Sequence, residues 1–187
     1  MSWLEHSKDS SRLLKGAAVA VITSVLGLGV TGCAFHPMYA TTSTGGNLTD
    51  AMKAVDIAPI PSRVGQRLRN ELIFGTTGGG EASAPVYRLD IALRESVRNT
   101  LVTNTGAPTG QILQLDAEFR VVRIKDNEAL FKGYSTSEAA YDLTGFSGTT
   151  GSIYGDTRAV LDAENRAARS LADTLKTRVA AFLSRDA

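Results

Sequence analysis

Cysteine is nearly missing from this sequence: Cys33 is the one thiol in 187 residues, so no disulfide can form within the chain. Histidine is almost as scarce. His6 lies near the N-terminus and His36 three residues after Cys33, which leaves no histidine for a Ser-His-Asp arrangement or a His/Cys metal cluster in a folded body. Carboxylates are scattered along polar strand faces, where solvation or cross-strand pairing is expected rather than paired acid–base work. Gly75 to Gly80 (GTTGGG) has no lysine after its glycines and follows a helix instead of opening one, so it reads as a loop and not a phosphate cradle. These absences argue against an enzyme, a metal and a cofactor. Long apolar runs are also lacking, since the uncharged stretch Gly16 to Val30 falls short of the roughly 20 residues that span a bilayer core. Nor does one sign of charge dominate. The net charge of +1 gives no global steering toward nucleic acid.

What is present begins at the N-terminus. A polar start with Lys8, Arg12 and Lys15, the apolar stretch Gly16 to Val30, and the small residues Thr31 and Gly32 form the three zones of a secretion signal over residues 1–32. Val30-Thr31-Gly32-Cys33 resembles the lipobox of bacterial lipoproteins. That motif implies cleavage before Cys33, a diacylglycerol on its thiol and an acyl group on its new amine; the alternative is a free or buried thiol ending an apolar run. More than one acyl chain gives a stable anchor. Ala34, where such lipoproteins usually carry an Asp for inner-membrane retention, points to the outer membrane. Loss of the signal removes three of the 20 basic and two of the 19 acidic residues, leaving 17 of each.

Residues 33–53 read as a lipidated N-terminus and flexible tether. Thr41 to Asn47 is small and polar, and Pro37 keeps the apolar segment Phe35 to Tyr39 from being helical. Residues 54–187 then suit one domain. Ala54 to Ile60 is a short strand candidate closed by Pro59 and Pro61. Ser62 is placed to cap a helix in which Val64, Leu68 and Leu72 form one apolar line; Gly65 inside it costs about 1 kcal/mol against alanine, and Gly75 to Gly80 ends it. Val86 to Val97 and Gln111 to Arg123 alternate apolar and polar residues with period two, as half-buried antiparallel strands do. Asn99 to Gly110 is a turn-rich connection. Asp126-Asn127 turns the chain into a third strand, Leu130 to Leu143, whose inward residues Gly133, Ser135, Ser137 and Ala139 are small enough for close helix contact. After a Gly/Ser/Thr loop, a long amphipathic helix runs from about Asp156 to Ser184. The order β-α-β-β-β-α predicts an α+β domain: a four-stranded, mainly antiparallel sheet with two helices on one face.

One surface stands out. Arg88, Arg94 and Arg98 project from the polar face of the first long strand, and Arg120 and Lys132 join them from its neighbours. Guanidinium groups on a rigid sheet suit phosphate recognition. The alternative is a solvated face with cross-strand pairs to Asp116 and Glu118.

Three segments together resemble a known family. Cys33-Ala34-Phe35-His36-Pro37-Met38-Tyr39 is similar to the C-G-F-x-P-L-Y opening of the LPS-assembly lipoprotein LptE family, with Ala34 and Met38 as departures. Arg63 to Leu72 (RVGQRLRNEL) resembles its first helix, and Asp162 to Leu183 its last helix in the alphaproteobacterial form. The resemblance implies a non-enzymatic outer-membrane lipoprotein that binds and plugs the LptD β-barrel one-to-one in lipopolysaccharide transport. It also implies direct contact with lipopolysaccharide, for which Arg88, Arg94, Arg98, Arg120 and Lys132 are the candidate residues. Two other classes remain open: an auxiliary lipoprotein of a phospholipid-type envelope transport system, and an enzyme or activator acting on peptidoglycan.

Overall fold

The computed structural model describes residues 48–80, 83–102, 106, 108–143 and 153–186. The expected secretion signal over residues 1–32, Cys33, the segment 34–47 and the loop expected at 144–152 lie outside the described residues. The elements, in chain order, are α1 (Leu48–Lys53), β1 (Val55–Ile57), α2 (Arg63–Thr77), β2 (Tyr87–Val102), β3 (Pro108–Arg123), β4 (Glu128–Asp142) and α3 (Ile153–Asp186).

The sheet has the order β1-β2-β3-β4. β2, β3 and β4 form an antiparallel meander, while β1 joins β2 in parallel through Val55, Asp56 and Ile57. A parallel pair needs a crossover, and α2 supplies it. Ser62 starts α2 as the sequence suggests, its Oγ accepting from the Gly65 N–H at 3.1 Å. Gly65 is there for space: an added Cβ would stand 2.7 Å from Ile60 Cγ2 and 3.0 Å from the Ile60 carbonyl oxygen. The helix ends inside the glycine-rich stretch but runs past Gly75 to Thr77, where Gly78 takes a left-handed φ of 64° and donates to the Phe74 carbonyl.

Both long helices cover the same face of the sheet. Leu89 and Ile91 of β2, Leu113, Leu115, Ala117, Phe119 and Val121 of β3, and Ala139 and Tyr141 of β4 are buried beneath them. Leu68 and Leu72 come from α2, and Leu171, Leu175, Val179 and Leu183 from α3, all at 2 % exposure or less. Each such side chain contributes about 1.5–3 kcal/mol by leaving water. The two helices lie side by side in parallel: Arg63 pairs with Glu164, Arg169 approaches Glu71, and Gly75 faces Lys176. Buried Ala163, Ala167, Ala168, Ala172 and Ala180 let α3 come close to its neighbours. On the sheet side the small β4 residues receive it as expected. Gly133 stands opposite Phe119, where a Cβ would reach within 2.6 Å of the ring. Phe119 meets Phe131 edge-on at 5.7 Å, and Phe131 stacks on Phe182 of α3 at 5.2 Å.

Two features differ from the sequence reading. Residues 48–53, expected in the tether, form α1, which anchors itself by burying Leu48 and Met52. The connection expected from Asn99 to Gly110 is mostly strand: β2 reaches Val102 and β3 starts at Pro108, with register shifts after Asn99. A strand here shows no alternation because it lies beyond the helices and is exposed on both faces from Arg94 onward.

The two edges of the sheet are treated differently. Along β4, Arg178 of α3 donates to the Tyr134 carbonyl and, at 2.9 Å, to Ser135 Oγ; Arg166 donates to the Ala140 carbonyl at 2.9 Å. Along β2, β1 reaches only Tyr87 to Leu89.

Candidate binding face

The face of the sheet away from the helices carries the five cations singled out in the sequence. Register places Asp90, Arg120 and Lys132 in one row across β2, β3 and β4. The next rows are Ala92, Glu118 and Tyr134, then Arg94, Asp116 and Thr136. Arg88 and Arg98 lie at either end of the β2 column, on the same side by strand alternation.

These cations are not equivalent. Asp90 accepts from Arg88 Nε at 2.9 Å and from Arg120 Nε at 3.0 Å, so one carboxylate holds two guanidinium groups. Arg98 pairs with Glu138 at 2.8 Å, reaching across β3. The carboxylates expected as partners, Asp116 and Glu118, are not the ones that form these bridges. Asp116 instead accepts from Tyr134 Oη at 2.5 Å and from Gln114 Nε2 at 3.0 and 3.1 Å. The hydrogen bond from Tyr134 holds the Asp116 carboxyl below its usual value, helped by Gln114 and, more weakly, by the charge of Arg94. The same bond pushes the Tyr134 hydroxyl upward, because losing its proton would set two negative oxygens together. Among the described residues, Lys132 has no ion-pair partner.

A depression of about 830 Å³ opens on this face, with Asp90, Ala92, Glu118, Arg120, Lys132 and Tyr134 among its lining residues. A smaller one of about 170 Å³ adjoins it beside Arg94 and Asp116. Arg120 and Lys132 therefore reach the larger depression and Arg94 the smaller, whereas Arg88 and Arg98 line neither. Tyr134 belongs to the site and was not singled out in the sequence. Its signal was an aromatic ring at an outward position of β4, between Lys132 and Thr136. No group of metal-ligating side chains occurs among the described residues. The chemistry on offer is recognition: cations and a phenol around a shallow, mixed-charge hollow, suited to an anionic group attached to something larger.

Comparison with known proteins bears on what this face belongs to. The family described as LptE, lipopolysaccharide-assembly, matches residues 52–179, a span that runs from α1 through all four strands and most of α3. Two solved structures share the fold. A protein described as a lipoprotein, from Caulobacter crescentus CB15, superposes with a TM-score of 0.59 at 17% identity, over 73% of this chain and 96% of that one. A minor lipoprotein from Acinetobacter baumannii gives 0.51 at 15% identity, over 71% and 95%. No curated protein matches the sequence.

Proposed function

The chain belongs to the LptE lipopolysaccharide-assembly family, and from that premise we propose that it is the outer-membrane lipoprotein partner of the LptD β-barrel. In this reading residues 1–32 are removed, Cys33 carries a diacylglycerol and an N-acyl chain, and the folded domain sits on the periplasmic side and within the barrel lumen. It plugs the barrel one-to-one and makes or breaks no bond. The observation that carries the reading is the family match across the whole sheet, α2 and most of α3. The polar sheet face adds support. Barrel interiors are polar, and a face of alternating cations and carboxylates loses little on entering one. Arg120 and Lys132 at the larger depression, with Arg94 beside the smaller, are then the contacts for the phosphates of lipopolysaccharide, and Arg88 and Arg98 extend the positive column.

The test is affinity capture of the full chain from detergent-solubilised envelope, with mass identification of what accompanies it. The expected result is a stoichiometric complex with a large outer-membrane β-barrel, and loss of assembled barrel when the lipoprotein is depleted. A protein that travels alone, or with an inner-membrane transporter, would overturn the barrel reading in favour of an auxiliary transport lipoprotein.

A further inference from the structure

β2 is an edge strand for most of its length. The Ala58 N–H donates to the Leu89 carbonyl at 3.1 Å, so the backbone groups of Leu89 point away from β3. Both groups of one residue leave a strand on the same side, and the side alternates along the chain. Ile91, Leu93, Glu95, Val97 and Asn99 therefore aim their N–H and C=O groups outward, and no described strand lies beside them. A row of unmet backbone donors and acceptors is a template for another strand. The opposite edge is guarded by Arg166 and Arg178; this one has no such cover among the described residues.

We propose that this edge, Ile91 to Asn99, is a strand-addition site for an extended segment of another polypeptide with a complementary charge pattern. Side chains on the two faces of β2 define the pattern. Arg94 and Arg98 stand four residues apart on the outward face, both exposed, with Ser96 between them; Glu95 and exposed Val97 occupy the helix-side face. An antiparallel incoming strand is matched when it presents acidic residues to Arg98 and Arg94, an apolar residue to Val97 and a basic one to Glu95, since opposite charges across a strand pair attract and like charges repel. Read along that strand the pattern is Glu-Val-Thr-Lys-Glu. A second copy of this chain is a poor match. Antiparallel self-pairing centred on residues 93, 94, 95, 96 or 98 sets Arg98 against Arg88, Arg94 against itself, Glu95 against itself, Arg94 against Arg98, or Arg98 against itself; only pairing about Ala92, Val97 or Asn99 escapes. The site needs neither the barrel nor the lipid contact proposed above.

The experiment uses the purified full chain in detergent and a fluorescent synthetic peptide built around Glu-Val-Thr-Lys-Glu, followed by fluorescence anisotropy. Val97→Pro and Glu95→Pro each remove an outward N–H that the protein's own sheet does not use, a position where an edge strand tolerates proline. Saturable binding is expected, at least tenfold weaker for either proline variant and for the same peptide N-methylated on alternate residues, with lipopolysaccharide binding unchanged in Val97→Pro. The methylated peptide keeps the test decisive if a proline variant misfolds. No saturable binding by the wild type would overturn the proposal. So would equal binding of the charge-reversed peptide, equal binding by both proline variants, or dimerisation through this edge in place of peptide capture.

Discussion

Replacing the polar-face cations one at a time should reveal a graded series, because the structure places them in different surroundings. Lys132 reaches the larger depression and has no ion-pair partner among the described residues. A charge-assisted contact with a phosphate contributes about 1.5–3 kcal/mol, so Lys132→Ala should weaken lipopolysaccharide binding by about tenfold or more. Arg120 lines the same depression but shares Asp90 with Arg88, and its removal should have a somewhat smaller effect. Arg98 lies outside both depressions and is already paired with Glu138. Exposed pairs contribute about 0.2–1 kcal/mol, and Arg98→Ala should cost less than about threefold. Asp90→Asn carries the informative sign: it releases two guanidinium groups and removes a repelling carboxylate, so affinity should rise by about threefold. The assay is surface plasmon resonance on immobilised lipopolysaccharide at two salt concentrations. Thermal melting checks that each variant folds, since surface changes of this kind usually move stability by no more than about 0.5 kcal/mol. Equal losses at all five cations, or weaker binding by Asp90→Asn, would refute a localised site and leave diffuse attraction to a charged sheet.

Gly65→Ala should destabilise the fold by about 1–3 kcal/mol, as overpacking does, despite the gain of about 1 kcal/mol in helix propensity; a raised melting temperature would show that Ile60 yields to the new methyl. Tyr134→Phe should return the Asp116 carboxyl toward its ordinary 3.8, measured by side-chain NMR titration. Because that carboxyl is held low in the folded state, its contribution to stability is fully present above the ordinary value and is lost as pH falls through the folded one, and the variant should show a weaker acid-side dependence, with Gln114 still holding the carboxyl. Cys33→Ser should yield an unprocessed or soluble form, while mass spectrometry of the native N-terminus should find a diacylglyceryl cysteine; an envelope protein still beginning at Met1 would contradict it.

Periodicity made most of the fold legible. The alternation of Leu89 and Ile91 with Arg88 and Asp90, and of Leu113 to Val121 with Gln114 to Arg120, sets the two faces of the sheet. Spacing of Leu171, Leu175 and Val179 gave α3 its buried side. Ser62 announces its helix through a local rule that spans four residues, Ser62 to Gly65. What escaped depended on distant partners. α1 exists because Leu48 and Met52 find a core to enter, and nothing within its six residues declares that. The distal part of β2 lost its alternation once no helix covered it. All five cations could be placed on one face by counting. Their partners could not, because Arg98 finds Glu138 on the far side of β3, and that requires the register of two strand pairs at once.

The position of α3 in the chain has a consequence for the order in which the protein can assemble. A polypeptide emerging N-terminus first, from a ribosome or through a membrane pore, has made β1 to β4 before any of α3 is available. The β2-β3-β4 meander pairs neighbours in sequence and can form early, but its inner face, from Leu113 to Val121, has only α2 to shelter under until Leu171, Leu175, Val179 and Leu183 arrive. An unfinished chain thus holds an uncovered apolar sheet and, at β4, a second open edge, because Arg166 and Arg178 also come with α3. Closure of the core and protection of that edge arrive with the same 34-residue helix. The core of the domain stays open until α3 has followed the elements before it.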